Sequence, residues 1–152
     1  MAGGWRGVLA AGRLGVGPLA VAGFFLPWAH GPGPLAGSEF TGYGLVGYAG
    51  RLQALELSLT AGAALWLARL LVLAVAVAGT WQIMLAPRHR THPIYGLSGW
   101  YLVALAGVTL GIGLSRTGPG VPPAGLFLLG LAGGLFALAE LAARVGRGVE
   151  PR

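Results

Sequence analysis

Between Arg69 and Arg88 the chain reads LLVLAVAVAGTWQIMLAP, a run without a single charged residue. Backbone amides and carbonyls buried in hydrocarbon must be satisfied internally, so a run of this kind forms a helix when it enters a bilayer. A hydrocarbon core about 30 Å thick takes roughly 20 helical residues to cross. Four stretches of the chain meet that requirement. The first runs from about Gly7 to Trp28 and the second from about Ala61 to Leu85. The third covers about Tyr95 to Leu114 and the fourth about Pro123 to Ala143.

Composition supports the same class. Of 152 residues, 55% are hydrophobic and 9% are charged, against about a quarter charged in an ordinary soluble domain. A soluble core of this size has no room for so much apolar surface, and the excess is assigned to lipid. The expected architecture is an all-α, integral membrane, four-transmembrane-helix bundle forming a single domain over 1–152. It has a long first outer loop of about 29–58 and both termini in the cytoplasm.

The orientation follows from arginine, which supplies all ten basic residues. With both ends inside, the inner segments hold Arg6, Arg13, Arg88, Arg90, Arg144, Arg147 and Arg152. The outer loops hold Arg51 and Arg116. Such asymmetry marks the cytoplasmic side of a bacterial inner or plasma membrane protein. Trp28 and Tyr43 are then expected at the outer interface, and Trp81, Tyr95 and Trp100 at the inner one. The net charge of +6 is spread over segment ends, which argues for topology and against nucleic acid as a partner.

The first span resembles a signal peptide in one respect, the small residues Ala20, Val21 and Ala22. The apolar run continues through Phe24, Phe25 and Leu26, which favours a retained helix. Pro18 is expected to kink it, since proline cannot donate to the carbonyl four residues back. Pro27 ends it, and the glycine-proline run that follows has turn chemistry. Beyond, GRLQALELSLT is expected to extend the second helix outward or to lie along the surface.

Few residues carry chemistry. Arg69 stands in LWLARLLVL, where a guanidinium costs about 2.5–3.5 kcal/mol at membrane depth. It either snorkels to the outer interface or pairs with Glu56 or Glu39. Glu140 precedes Arg144 by one turn, and a local i,i+4 ion pair is expected. Arg88 and Arg90, with His89 and His92 beside them, suit an anionic lipid headgroup. Gly107 and Gly111 on the third helix, and Gly130 and Gly134 on the fourth, make small-residue stripes that suit helix packing, against each other or against a partner subunit.

Catalytic groups are missing from the pattern. No histidine lies within a span, no serine has a histidine base at helical spacing, and there is no phosphate-binding loop. No cysteine is present, which removes disulfides and Cys-ligated metals. The chain is therefore expected to be no enzyme and to hold no metal. No cofactor is predicted, with quinone, haem or pigment left open as ligands of a bundle lined by aromatic side chains.

At Leu26-Pro27-Trp28, followed by a glycine-rich stretch and then Thr41-Gly42-Tyr43-Gly44-Leu45, the sequence resembles small four-pass bacterial membrane proteins of unknown function. The resemblance rests on Leu26, Pro27, Trp28, Gly42, Tyr43 and Leu45, and it implies topology alone. The long first loop is also similar to the claudin-like layout, but the paired loop cysteines of that family are absent.

The expected function is that of a structural or accessory subunit of a larger membrane complex of respiratory or photosynthetic type. Its contacts would be membrane lipids, other membrane subunits and a second copy of itself. The outer loop is the expected contact surface, with Trp28 beside Phe40, Tyr43 and Tyr48 as buried anchors. The alternative is a small transporter, channel or lipid-handling protein that uses Arg69, Gln82 or Glu140.

Overall fold

The computed structural model describes residues 2–30, 38–53, 59–88, 92–115 and 123–148. It is nearly all helical. Helix α1 spans Ala2–Phe25, a short α2 spans Gly42–Gln53, and α3 spans Leu59–Leu85. Helices α4 and α5 span Pro93–Ser115 and Ala124–Gly148. Between α1 and α2 stand two short strands, β1 (Pro27–His30) and β2 (Glu39–Thr41), and a 3-10 turn at Ala86–Arg88 follows α3.

The four long helices alternate in direction and close into a ring. Helix α1 packs on α3 and α5, and α4 packs on α5 and α3. Each contributes one buried column to a common core. Val16, Ala20 and Phe24 come from α1, Val75 and Ala78 from α3, Leu102 and Ala106 from α4, and Leu129, Ala132 and Phe136 from α5. The spacing of three and four residues is the helical repeat that puts one stripe inward.

The outward faces are apolar too. Two helices are long and apolar enough to cross a membrane: Ala61–Leu85, with a mean hydropathy of 2.1, and Ala124–Val145, with 2.0. A soluble core helix would be mostly covered by its neighbours. Only 11% of the first of these windows and 28% of the second is buried. Shorter apolar helical stretches occupy Ala10–Phe25 and Pro93–Val108.

Three glycine seams let the helices approach. A β-carbon on Gly17 would stand 2.7 Å from the Ile83 amide nitrogen and 2.8 Å from the Gly79 carbonyl, so α1 meets α3 backbone to backbone. On Gly125 it would meet the carbonyls of Leu26 and Gly23 at 2.6 and 2.7 Å, which sets the α1–α5 contact. The α4–α5 seam uses Gly133, 2.9 Å by the same measure from the Leu102 carbonyl, and Gly99, whose place against the Phe136 ring admits no side chain.

These seams differ from the expected stripes. Gly107, Gly130 and Gly134 would meet nothing within 4 Å, so they do not pair with one another within the chain. Gly111 falls outside the residues whose surroundings are described. The chosen glycines sit opposite backbone or a large ring, whereas Gly107 and Gly134 are exposed.

The segment after α1 is more ordered than its composition suggests. Pro27 ends α1 at Phe25, three residues before the expected boundary, while α1 continues unbroken through Pro18. Strand β1 then pairs antiparallel with β2, Ala29 opposite Phe40 and His30 opposite Glu39, with an irregularity after Pro27. Thr41 caps α2 by accepting the Gly44 amide at 2.9 Å, satisfying one of the donors a helix start leaves free. Helix α2 carries four glycines, which on propensity alone would be a loop. Close contact explains it: a β-carbon on Gly42 would lie 2.7 Å from the Phe24 carbonyl and 3.0 Å from the Trp28 ring.

A buried polar cluster as candidate functional site

One side chain or more from each long helix meets at the end of the ring where α1 begins and α5 finishes. From α3 comes Gln82, fully buried, and from α4 come Tyr95 and Ser98, both buried. Arg13 comes from α1 and Glu140 from α5, with side chains 13% and 23% exposed.

Their bonds form two connected groups. Gln82 Nε2 donates to the Tyr95 carbonyl at 2.7 Å and to Ser98 Oγ at 2.8 Å. Ser98 Oγ in turn donates to the Tyr95 carbonyl at 3.1 Å. Arg13 Nη2 lies 3.6 Å from Glu140 Oε1 and donates to the Ala139 carbonyl at 3.4 Å. The Tyr95 hydroxyl lies within the electrostatic reach of both Arg13 and Glu140, and its ring packs on Phe136 at 5.6 Å. The two groups thus share Tyr95.

The location follows from helix geometry. Gln82 is three residues from the end of α3, and Tyr95 is two residues into α4, so the short connection between them sets the spacing. Helix α5 brings Glu140 alongside because it runs antiparallel to α1. A pair held between two helices is less costly than either charge alone in an apolar setting.

The expected sites are placed as follows. Glu140 pairs across to Arg13 and not along its own helix to Arg144, which is exposed. Crossing to α1 satisfies two partly buried charges, whereas a pair with Arg144 would leave Arg13 without this carboxylate. Tyr95 is buried in the cluster at 2% exposure, not displayed at the interface, whereas Trp81 and Trp100 are exposed. Arg69 stands on α3 towards the opposite end, its guanidinium 3.4 Å from where a Gly50 β-carbon would lie. Among the described residues it makes no ion pair with Glu39; Glu56 lies outside them. Arg90 and His89 also lie outside the described residues, as do the side-chain surroundings of Arg88 and His30.

The loop aromatics are displayed more than expected. Tyr43 is 66% exposed and Tyr48 47% exposed, so neither is a buried anchor. Both stand on α2, whose packed residue is Val46. Tyr48 contacts Phe40 at 5.9 Å between ring centres, and Tyr43 contacts Phe25 at 6.1 Å. Trp28 is held: its Nε1 donates to the Gly23 carbonyl at 2.8 Å.

The sequence singled out Gln82 and Glu140 but missed Arg13 as their neighbour. Its signal was present, a single charge followed by the apolar run from Leu14 to Leu26. Ser98 carries no such signal, because serine is common in membrane helices and its partner is set by the fold.

Among the described residues no three His, Asp or Glu side chains gather to hold a metal. A shallow groove on α3 is lined by Ala76, Val77, Thr80, Trp81 and Met84. It is an outer-face feature made by one helix.

The arrangement defines a helical protein with two helices suited to a membrane and a hydrogen-bonded polar cluster between four helices. The chain matches no protein-family model, no curated protein and no solved structure.

Proposed function

We propose that the chain is a four-pass membrane protein that serves as a structural or accessory subunit of a larger membrane complex, of the respiratory or photosynthetic kind. The observation that carries the reading is the outward apolar surface of the ring. Leu67, Leu71, Val77 and Met84 on α3, Leu97 on α4, and Leu138, Leu141 and Val145 on α5 are all exposed. Lipid or neighbouring helices can cover such faces, and water cannot do so without cost.

Aromatic placement supports the depth. Trp66 and Trp81 are both exposed on α3, and fifteen residues of helix separate them by about 22 Å. Centred in a hydrocarbon core about 30 Å thick, that separation leaves each ring roughly 4 Å from an edge, within reach of the interface. The arginine asymmetry supports a cytoplasmic position for the end that holds Arg13 and Arg144. The LPW and TGYGL segments resemble those of small four-pass bacterial proteins, which agrees with a four-pass topology.

Subunit contacts would use the exposed aromatics near α2 and the outward Gly107, Gly130 and Gly134. Purification from the native membrane in mild detergent tests this. Comigration with the same set of membrane proteins is expected, and a chain that always migrates alone and monodisperse refutes it.

The cluster favours one second reading, a small transporter or lipid-handling protein working through Gln82 and Glu140. The core column beyond it, from Ala20 and Phe24 to Leu129, is apolar, which weighs against a continuous polar path. Reconstituted vesicles decide: solute flux abolished by Glu140→Gln would support this reading over the first.

A further inference from the structure

Among the described residues, the Gln82 side chain has an oxygen without a donor. Its side chain is 0% exposed, and both Nε2 hydrogens are committed, one to the Tyr95 carbonyl and one to Ser98 Oγ. Turning the amide over would set Oε1 against the Tyr95 carbonyl, acceptor against acceptor, so the orientation is fixed by its partners. Oε1 then has no hydrogen-bond donor among the described residues. A buried acceptor in that state keeps the full cost of its lost hydration, and apolar helices around it keep bulk water from relieving that cost.

We propose that Gln82 Oε1 is the acceptor of a buried binding site for a neutral hydroxyl group, supplied by water or by the headgroup of an amphiphile. Each property of the ligand follows from the cluster. It must donate, because the free atom is a carbonyl oxygen. It is neutral, because the charges of Arg13 and Glu140 already offset one another and an ion would bring an unbalanced charge into an apolar setting. It is small at its donating end, because Gln82, Tyr95 and Ser98 are all buried. The site does not depend on whether partner subunits exist.

The chain has two glutamines, Gln53 and Gln82, which makes the oxygen directly observable. A full-length Gln53→Ser chain labelled with 13Cδ-glutamine reports one side-chain carbonyl stretch in the infrared, with circular dichroism verifying the helical fold. A Gln82→Met chain on the same background must lose the band. In phosphatidylcholine vesicles, whose headgroup has no hydroxyl, a band shifted down from that of a dry primary amide, reversed on vacuum drying, is expected if water is the donor. A band shifted down only in phosphatidylglycerol vesicles identifies the headgroup hydroxyl. A band at the unbonded position in both lipids overturns the proposal. So does a shifted band in phosphatidylcholine that survives drying, because the donor then belongs to the chain.

Discussion

The two ends of the helical ring are held by opposite means. At the end where α1 starts, side chains join α3 to α4 and α1 to α5, Gln82 reaching Tyr95 and Ser98 and Arg13 reaching Glu140, while Gly17 sets α1 against α3. At the other end backbones do it. Gly23 and Gly125 press α1 against α5, Trp28 bonds the Gly23 carbonyl, and Gly42 tucks α2 beneath Phe24. This end cannot accept an added atom without moving main chain. Packing through small residues tolerates no bulk, and packing through polar bridges tolerates no missing partner.

Substitutions at the two ends should therefore fail differently. The largest effect is expected for Gly125→Val, whose side chain would collide with two carbonyl groups and the Trp28 ring. Overpacking of this kind costs about 3 kcal/mol; thermal unfolding in mild detergent should show a marked loss of stability or no folded species. A midpoint equal to that of the parent chain would mean that the backbones are not in contact.

Next comes Glu140→Leu, which leaves Arg13 without its carboxylate. The pair is partly exposed, so a loss of about 2 kcal/mol is expected, between the values for surface and fully buried pairs. Adding Arg13→Met to Glu140→Leu should restore most of the stability. A double variant no better than Glu140→Leu alone would show that the two side chains are not coupled.

Thr41→Ala should cost about 1 kcal/mol through the lost helix cap. Because Gly42 and Trp28 hold α2 from the other side, the effect should appear as local opening, read as faster amide exchange in α2 with little change in α3. Uniform acceleration in both helices would instead join α2 to the ring as one cooperative unit.

The smallest effect is expected for Gly130→Ala. Nothing lies within 4 Å of the added carbon, so the stability of the isolated chain should stay level or rise by a few tenths of a kcal/mol from helix propensity. If subunit contacts use this face, the same change weakens comigration with partners while leaving the unfolding midpoint in place.

Much of the fold was legible. The apolar runs located α3 and α4 to within a few residues, and Pro27 marked the end of α1, because apolar surface and backbone satisfaction act on local sequence. Helix α2 was not legible: Gly42, Gly44, Gly47 and Gly50 read as a loop, and what makes them helical is a neighbour's main chain. The glycine stripes misled for a related reason. In a chain with 29 glycines, four-residue spacing arises readily, while the pairs that matter, Gly23 with Gly125 and Gly99 with Phe136, are far apart in sequence. The site was half visible. Gln82 and Glu140 stood out as polar groups in apolar runs, but pairing Glu140 with Arg13 required knowing that the first and last helices are neighbours.

That adjacency reaches back to biosynthesis. Arg13 and the Ala139 carbonyl it bonds lie 126 residues apart, so a ribosome must finish nearly the whole chain before the two meet. Until α5 has been made, Glu140 is not there for the Arg13 guanidinium to meet. The α1–α5 seam that closes the ring is thus the last to form during synthesis.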